Sequence, residues 1–394
     1  MIVLVTTRNI KVSAMEQQFK KYVRFAKKGL PLALEKIAEL VLGAIVYLLF
    51  AMLVSPADFG KLLSVYLIIC AAADVVACFY PCYVKWYDRA GEILFNQFLL
   101  AVPLLLVITV LLSLLHLLEY IIYAIIYIIL VIFVNQVAGL LNAEERYLRY
   151  ACLKIGASTV FAVVALLGQW WLGPQSFLVG ADAQLAVWLP FLRELPKPKI
   201  RREYWQVAFS RLSRSLSIII GRLAEPAILL SFLPLTAVGE VYLAQKLVSI
   251  AYSFIMGTLF VMAQPYAAQR RYRTILKLLG GALGIYIMLS MLLVVVYKLG
   301  LLKFFFHKYQ LKLEYLASFI VGYLMVIVYL FLELPFVYEG RIVDCAVAGT
   351  LLSCYWIGIC LLTRTLSGIL LAYATRPIIA VGYLAWRLKQ LLKQ

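Results

Sequence analysis

The chain has 394 residues, 65% of them hydrophobic and 14% charged, and a mean hydropathy of +0.95. Soluble domains are about half apolar and a quarter charged, so this balance excludes a soluble globular fold. The net charge of +18 does not indicate nucleic-acid binding, because most Lys and Arg fall in short connections on one side of a series of apolar segments, as the positive-inside rule requires.

At the N-terminus, "MIVLV" is too short an apolar core for a secretory signal and no cleavage-like site follows it. Met15 offers an alternative start. From there "EQQFKKYVRFAKK" sets Phe19, Tyr22, Val23 and Ala26 at i, i+3, i+4 and i+7, the spacing of a basic amphipathic helix. Residues 1–28 are therefore expected to lie on the inner membrane surface. Apolar runs then predict an all-α polytopic membrane protein with twelve spans, at about 29–53, 62–84, 93–115, 118–141, 152–172, 174–193, 205–232, 236–264, 276–298, 314–337, 342–362 and 367–387. Runs of this length exclude a barrel, whose strands alternate over about ten residues.

The connections sort by charge. "KKYVRFAKK", "KWYDR", "EERYLR", "RELPKPKIRR", "QRRYR", "EGR" and the tail "RLKQLLKQ" alternate with "SPADFG", "HLLEY", "GP", "PLTAVG", "GLLKFFFHKYQLKLE" and "TRTLSG". The basic set belongs in the cytoplasm, which puts both termini there. One loop runs against the rule, with Lys298, Lys303, Lys308 and Lys312 on the outer side. Pro196 and Pro198 break any helix in the longest inner connection. They divide the chain into a six-helix lobe at 29–195, a cytoplasmic linker at 196–204, a second six-helix lobe at 205–388 and a tail at 389–394.

The two halves resemble each other. "LLFAMLVSPADFGKLLSVY" in the first matches "AILLSFLPLTAVGEVYLAQ" in the second, with Gly60 and Gly239 each opening a helix after a short outer turn. The following helices end near Pro81 and Pro265. Six is even, so both halves begin inside. That predicts a parallel repeat about a pseudo-two-fold along the membrane normal, with substrate held between the lobes.

Charges within the spans mark the candidate site. At ~100° per residue, Arg211, Arg214, Ser215, Arg222 and Glu225 share one stripe of the seventh helix. Tyr242, Gln245, Lys246, Ser249 and Ser253 follow 3- and 4-residue steps on the eighth. Each charge at a bilayer centre costs on the order of 2.5–3.5 kcal/mol, so the two stripes are expected to line a wet, cationic cavity. Arg211, near the helix start, has the alternative of snorkelling to the inner surface. Arg376, beside Pro377 in the twelfth helix, is a candidate third wall. The first half carries the opposite sign. Glu35 and Glu39 lie at i, i+4 on the first helix, Asp74 in the second and Asp182 in the sixth. Glu35, Glu39 and Asp74 are candidates for coupling to a cation. An offset of 179 residues between the halves puts Arg214 opposite Glu35, an expected gate contact, with local pairing of Glu35 to Lys36 and of Arg214 to Glu225 as the alternative.

The remaining features are read as structural. Of the seven cysteines, Cys70, Cys78, Cys345, Cys354 and Cys360 fall in apolar spans and are expected to be small core residues. Cys78 and Cys82 are one turn apart but lack the second pair of a zinc site. Glu333 and Asp344 lie near inner span ends, His116 and His307 at the outer boundary. Trp170 and Trp171 are expected to be outer-surface anchors. There is no G-x-x-x-x-G-K-[ST] and no metal or cofactor motif, so neither a P-loop ATPase nor any other enzyme is expected.

The six-plus-six arrangement, "LVSPADFGKLLSVY" after the first helix and "AVGEVYLAQKL...QPYAAQ" in the seventh and eighth resemble the MOP superfamily of exporters, most of all the Wzx-like flippases of lipid-linked oligosaccharides. The resemblance covers nearly the whole chain. It implies a V-shaped, two-lobed fold in the cytoplasmic membrane. It also implies movement of undecaprenyl-pyrophosphate-linked repeat units from the inner to the outer leaflet for polysaccharide or lipopolysaccharide biosynthesis. A polysaccharide polymerase or chain-length regulator is an implied partner, and a H⁺ or Na⁺ gradient or the membrane potential is an implied driving force. The arginine stripe is this chain's own feature; guanidinium forks suit a pyrophosphate. A cation-coupled multidrug exporter centred on Glu39 and Asp74, and a non-transporting assembly scaffold, are the alternatives.

Overall fold

A computed structural model describes residue 38, residues 41–339 and residues 341–391. The amphipathic segment at 16–28, Glu35 and Glu39 lie outside those residues, as does the proposed contact of Glu35 with Arg214. Among the described residues the chain is helical. We number the helices α1 Val41–Leu53, α2 Pro56–Lys85, α3 Tyr87–Leu114, α4 Leu118–Ala143, α5 Tyr147–Leu167, α6 Ser176–Ala186, α7 Arg202–Phe232, α8 Leu235–Gln264, α9 Tyr272–Lys298, α10 Leu313–Tyr338, α11 Val343–Thr363 and α12 Leu366–Gln390.

Nine of these, α2 to α5 and α8 to α12, are long and apolar enough to cross a membrane. The other three predicted spans differ in kind. The described part of the first, α1, is short. The sixth was expected to cross at 174–193, but its α-helix has 11 residues and is flanked by single turns at Gly173–Gln175 and Leu189–Phe191. Pro174 and Pro190 cut it, because proline removes a helix donor. The seventh, α7, is a 31-residue helix whose charges set it apart from the apolar ones.

Local chemistry sets the ends that matter. Ser55 caps α2: its hydroxyl accepts from the Asp58 amide at 3.2 Å, and Pro56 occupies the first turn. Asp58 in that turn complements the helix dipole. The longer helices contain features that commonly bend a helix: Pro103 inside α3, Pro226 inside α7, Pro335 inside α10, and a π-helical turn at Met256–Phe260 inside α8. Arg376 falls where Pro377 interrupts α12, between segments Leu366–Thr375 and Ile378–Leu391.

Packing joins the two halves of the chain through α2, which lies against both α7 and α8. At its start the contact is backbone to backbone. A Cβ on Gly60 would stand 2.8 Å from the Leu235 carbonyl oxygen and 2.6 Å from the Gly239 amide; one on Gly239 would stand 1.8 Å from the Pro56 carbonyl oxygen. Pro56 and Leu235 are themselves 179 residues apart, as Gly60 and Gly239 are, so the contact is reciprocal, as at a two-fold axis. Glycine is required here because nothing flexible can yield. Gly239→Ala is therefore expected to lower the melting temperature more than Gly60→Ala, whereas Gly43→Ala, which has open space around it, should leave it unchanged. Equal effects at 60, 239 and 43 would contradict the contact.

This end, where α1 turns into α2 and α7 into α8 and hence the hairpin end, is sealed further by the loop that breaks the charge rule. Lys308 donates to the Leu53 carbonyl at the end of α1 at 3.0 Å, a favourable place for a cation. The Gln310 amide donates to Glu240 at 3.0 Å, and Tyr309 meets Phe59 edge-on at 6.1 Å. Lys308 is thus retained on that side by a structural contact.

The opposite end carries the linker, and it is strapped down on the first half. Glu92 receives Arg201 at 2.6 Å and Lys199 at 3.2 Å. The Lys197 amide donates to the Gly91 carbonyl at 2.9 Å, the Asn96 amide group to the Lys199 carbonyl at 2.7 Å, and Trp205 of α7 to Asn96 at 2.7 Å. Glu144 binds both Arg193 and Arg146. The Arg193 guanidinium holds the Glu144 carboxyl below the usual carboxylate range. A depressed native pKa adds stability above the unfolded value that is lost as pH falls through the native one. The melting-temperature gap between wild type and Glu144→Gln should therefore be open at neutral pH and close as the solution is acidified below the ordinary carboxylate range. A gap that is independent of pH would contradict this.

Candidate site between the two halves

α2 rises about 21 Å from Gly60 to Asp74, at 1.5 Å per residue, and the contact changes character along it. One turn past Gly60, the buried Ser64 hydroxyl donates to the buried Tyr242 hydroxyl of α8 at 3.3 Å. Deeper, Lys246 of α8 reaches across to α1, its ammonium 3.9 Å from the Tyr47 ring centroid. That distance allows a cation–π contact. At Asp74 the halves are joined by an ion pair with Arg222 of α7, and here both side chains are nearly half exposed, at 42% and 47%. Nearer the linker end, exposed Arg211 lies with its guanidinium carbon 5.5 Å from the Tyr80 ring centroid. The interface is buried at the hairpin end, half exposed at Asp74 and Arg222, and buried again nearer the linker, where Phe79, Cys82 and Tyr83 pack on Tyr204 and Ala208.

These positions revise the expected roles. Asp74 is not an unneutralised carboxylate; Arg222 pairs with it. Tyr242 is fully buried against α2 rather than lining a wet wall. Gln245 donates to Glu225 at 3.0 Å, tying α8 to α7, and Ser249 donates to the Lys246 carbonyl of its own helix at 2.9 Å. Ser253 is half-buried on α8. Arg214 and Ser215 lie on α7 with side chains outside the described part. Arg376 is brought to α7: one Nη lies 2.7 Å from where a Cβ on Gly221 would stand, and the guanidinium carbon is 5.3 Å from the Trp356 ring centroid. Its Nε is buried without a hydrogen-bond partner. Cys354 is exposed and is not a core residue, unlike buried Cys78 and Cys360. Asp344 is held by Arg387 at 2.8 Å and by Tyr383 at 2.8 Å.

Sequence reasoning missed Tyr47 and Ser64 and left Asp182 without a role. Asp182 is buried on α6, and one of its carboxylate oxygens has no hydrogen-bond partner. α6 packs on α4 and α5, so this carboxylate lies within the first half, away from α7.

Among the described side chains, the region around α7 thus holds Arg211, Arg222, Lys246 and Arg376 against Asp74 and Glu225. It carries excess positive charge, and the Arg211 and Arg222 guanidinium groups are exposed. Such an arrangement can bind an anion and exchange it with a carboxylate.

No protein-family model matches the chain, and no curated protein matches it in sequence. Solved structures match its fold. An inward-facing multidrug resistance MATE family transporter of the MOP superfamily aligns with a TM-score of 0.65 at 14% identity, over 92% of this chain and 99% of that one. The lipid II flippase MurJ in an inward closed conformation aligns with a TM-score of 0.68 at 14% identity, over 90% and 87%. An outward-facing MATE family transporter aligns less well, with a TM-score of 0.53 at 15% identity, over 93% and 97%. The chain therefore shares the all-α polytopic membrane fold of these MATE and MurJ structures.

Proposed function

We propose that the chain is a flippase that moves an anionic, pyrophosphate-linked polyprenyl oligosaccharide from the inner to the outer leaflet by alternating access. The half-exposed Arg222–Asp74 ion pair carries this reading. It is a half-exposed break in an otherwise buried contact between α2 and α7, and the charge around it is positive in excess. A pyrophosphate brings about two negative charges and several acceptor oxygens for bidentate guanidinium contacts. It competes with Asp74 for Arg222 and so binds the two conformations with different affinity. Only such a difference lets a ligand shift a conformational equilibrium. By the positive-inside rule the linker end is expected to be cytoplasmic, which would put Arg211 and Arg222 toward the leaflet in which lipid-linked sugars are made. An inside-negative potential favours outward movement of the anion by about 2.3 kcal/mol per charge per 100 mV if the full field is crossed.

Asp182 favours a second reading. A buried carboxylate with an unpaired oxygen suits a coupling cation or a cationic drug, so a cation-coupled exporter is the alternative. Proteoliposomes separate the two. Translocation of a short-chain polyprenyl-pyrophosphate oligosaccharide without efflux of an organic cation is expected; cation efflux without lipid movement would establish the exporter instead.

A further inference from the structure

A cavity of about 230 Å³ lies at the linker end, away from α7, between α4, α5 and the segment that leaves α6. Its floor is apolar, from Val137 and Leu141, and its walls carry Arg149, Phe191 and Arg193. The two arginines are held differently. Both terminal nitrogens of Arg193 are on Glu144, which Arg146 shares at 3.0 Å. Glu144 is thus committed to two cations. Arg149 stands over Phe191, its guanidinium carbon 4.9 Å from the ring centroid, and acts on Glu144 only through space, with Arg193 and Arg146 holding the carboxylate directly.

With Glu145 beside Arg146 at the start of α5, Arg146, Arg149 and Arg193 exceed Glu144 and Glu145 by one positive charge (three against two). Arg146 precedes the helix without a side-chain capping bond, and its first turn holds no acidic residue. A cation in the first turn opposes the helix dipole, whereas an anion there is favoured by the dipole and by the free amides. Next in the chain to these arginines, Leu148 is 66% exposed and Leu195, two residues past Arg193, is 73% exposed, an apolar margin beside the cavity's lining residues. An apolar floor, an arginine wall and exposed leucines at a membrane boundary together select an amphiphile with a negative head.

We propose that this cavity binds the phosphate ester of an anionic phospholipid of the leaflet at the linker end, with Arg149 as its principal contact. The cavity is too small for a whole lipid and suits a headgroup, with the acyl chains outside along Leu148. Basic pockets at the cytoplasmic ends of membrane helices bind lipid headgroups in this way, each cation near the surface adding roughly a fivefold gain.

Native mass spectrometry of the full-length protein in detergent tests this, with phosphatidylglycerol and phosphatidylcholine titrated separately. Phosphatidylglycerol should be retained over phosphatidylcholine. Arg149→Ala should weaken its retention about fivefold, Arg149→Lys by less, and Lys389→Ala in the tail not at all. In a parallel arm, inorganic phosphate at the same concentration should neither displace the lipid nor raise the melting temperature. Wild-type retention by Arg149→Ala, equal retention of both lipids, or displacement by inorganic phosphate would each overturn the assignment. The readout is binding alone, so it stands or falls separately from the transport proposal.

Discussion

Arg222→Ala is expected to reduce translocation of a lipid-linked oligosaccharide by roughly tenfold to a hundredfold, the loss of one ~1.5–3 kcal/mol hydrogen bond to a charged group. The protein should still reach the membrane, because both members of the Arg222–Asp74 pair are nearly half exposed and their removal leaves no buried charge. Lipid-linked repeat units should accumulate on the inner leaflet. Arg222→Lys should recover only part of the rate, since an ammonium keeps the charge but loses the fork. Charge exchange separates binding from docking. Arg222→Asp with Asp74→Arg restores an ion pair between α2 and α7 but moves the guanidinium to the other helix. If the pair served only to dock the halves, the exchange would restore transport; as a substrate site it should not. Full activity of Arg222→Ala would remove Arg222 from the mechanism.

The second large effect concerns energy input. Asp182→Asn is expected to make transport indifferent to a proton or sodium gradient while binding of the anionic headgroup is retained, because this carboxylate lies in the first half and away from α7. Asp182→Glu should keep the gradient dependence in part. Asp74→Asn should leave that dependence intact, since Asp74 is neutralised by Arg222. If gradient dependence survives in Asp182→Asn and is lost in Asp74→Asn, the coupling role belongs to Asp74 and the pair has to be read as a cation site.

Features that depend on the chain's own periodicity were legible in the sequence. The match of Gly60 to Gly239 could be read because a backbone contact tolerates only glycine, and the structure places those residues against each other. Helical spacing put Arg211 and Arg222 on one face of α7, and both meet α2 in the structure, at Tyr80 and Asp74; the side chains of Arg214 and Ser215 lie outside the described part. Spacing does not say what that face meets. Asp74 and Arg222 are 148 residues apart, and their pairing follows from how α2 docks on α7. The same limit hid the burial of Tyr242, which lies on the polar face of α8 but beyond the point where that face closes on Ser64. Hydropathy also overextended the sixth span, because an apolar run is counted the same whether or not prolines cut it. The linker was read as a separator from its prolines; its hold on Glu92 and Asn96 depends on tertiary contacts across more than a hundred residues.

The competition between Asp74 and substrate for Arg222 is the central claim, and the binding affinity of Asp74→Asn tests it most directly. The measurement is the Kd of a water-soluble short-chain polyprenyl pyrophosphate for the purified full-length protein, wild type against Asp74→Asn, at one fixed salt concentration. Removing the competing carboxylate frees the guanidinium, so Asp74→Asn should bind the pyrophosphate more tightly than wild type, and Arg222→Ala more weakly. Weaker or unchanged pyrophosphate binding by Asp74→Asn would contradict the account.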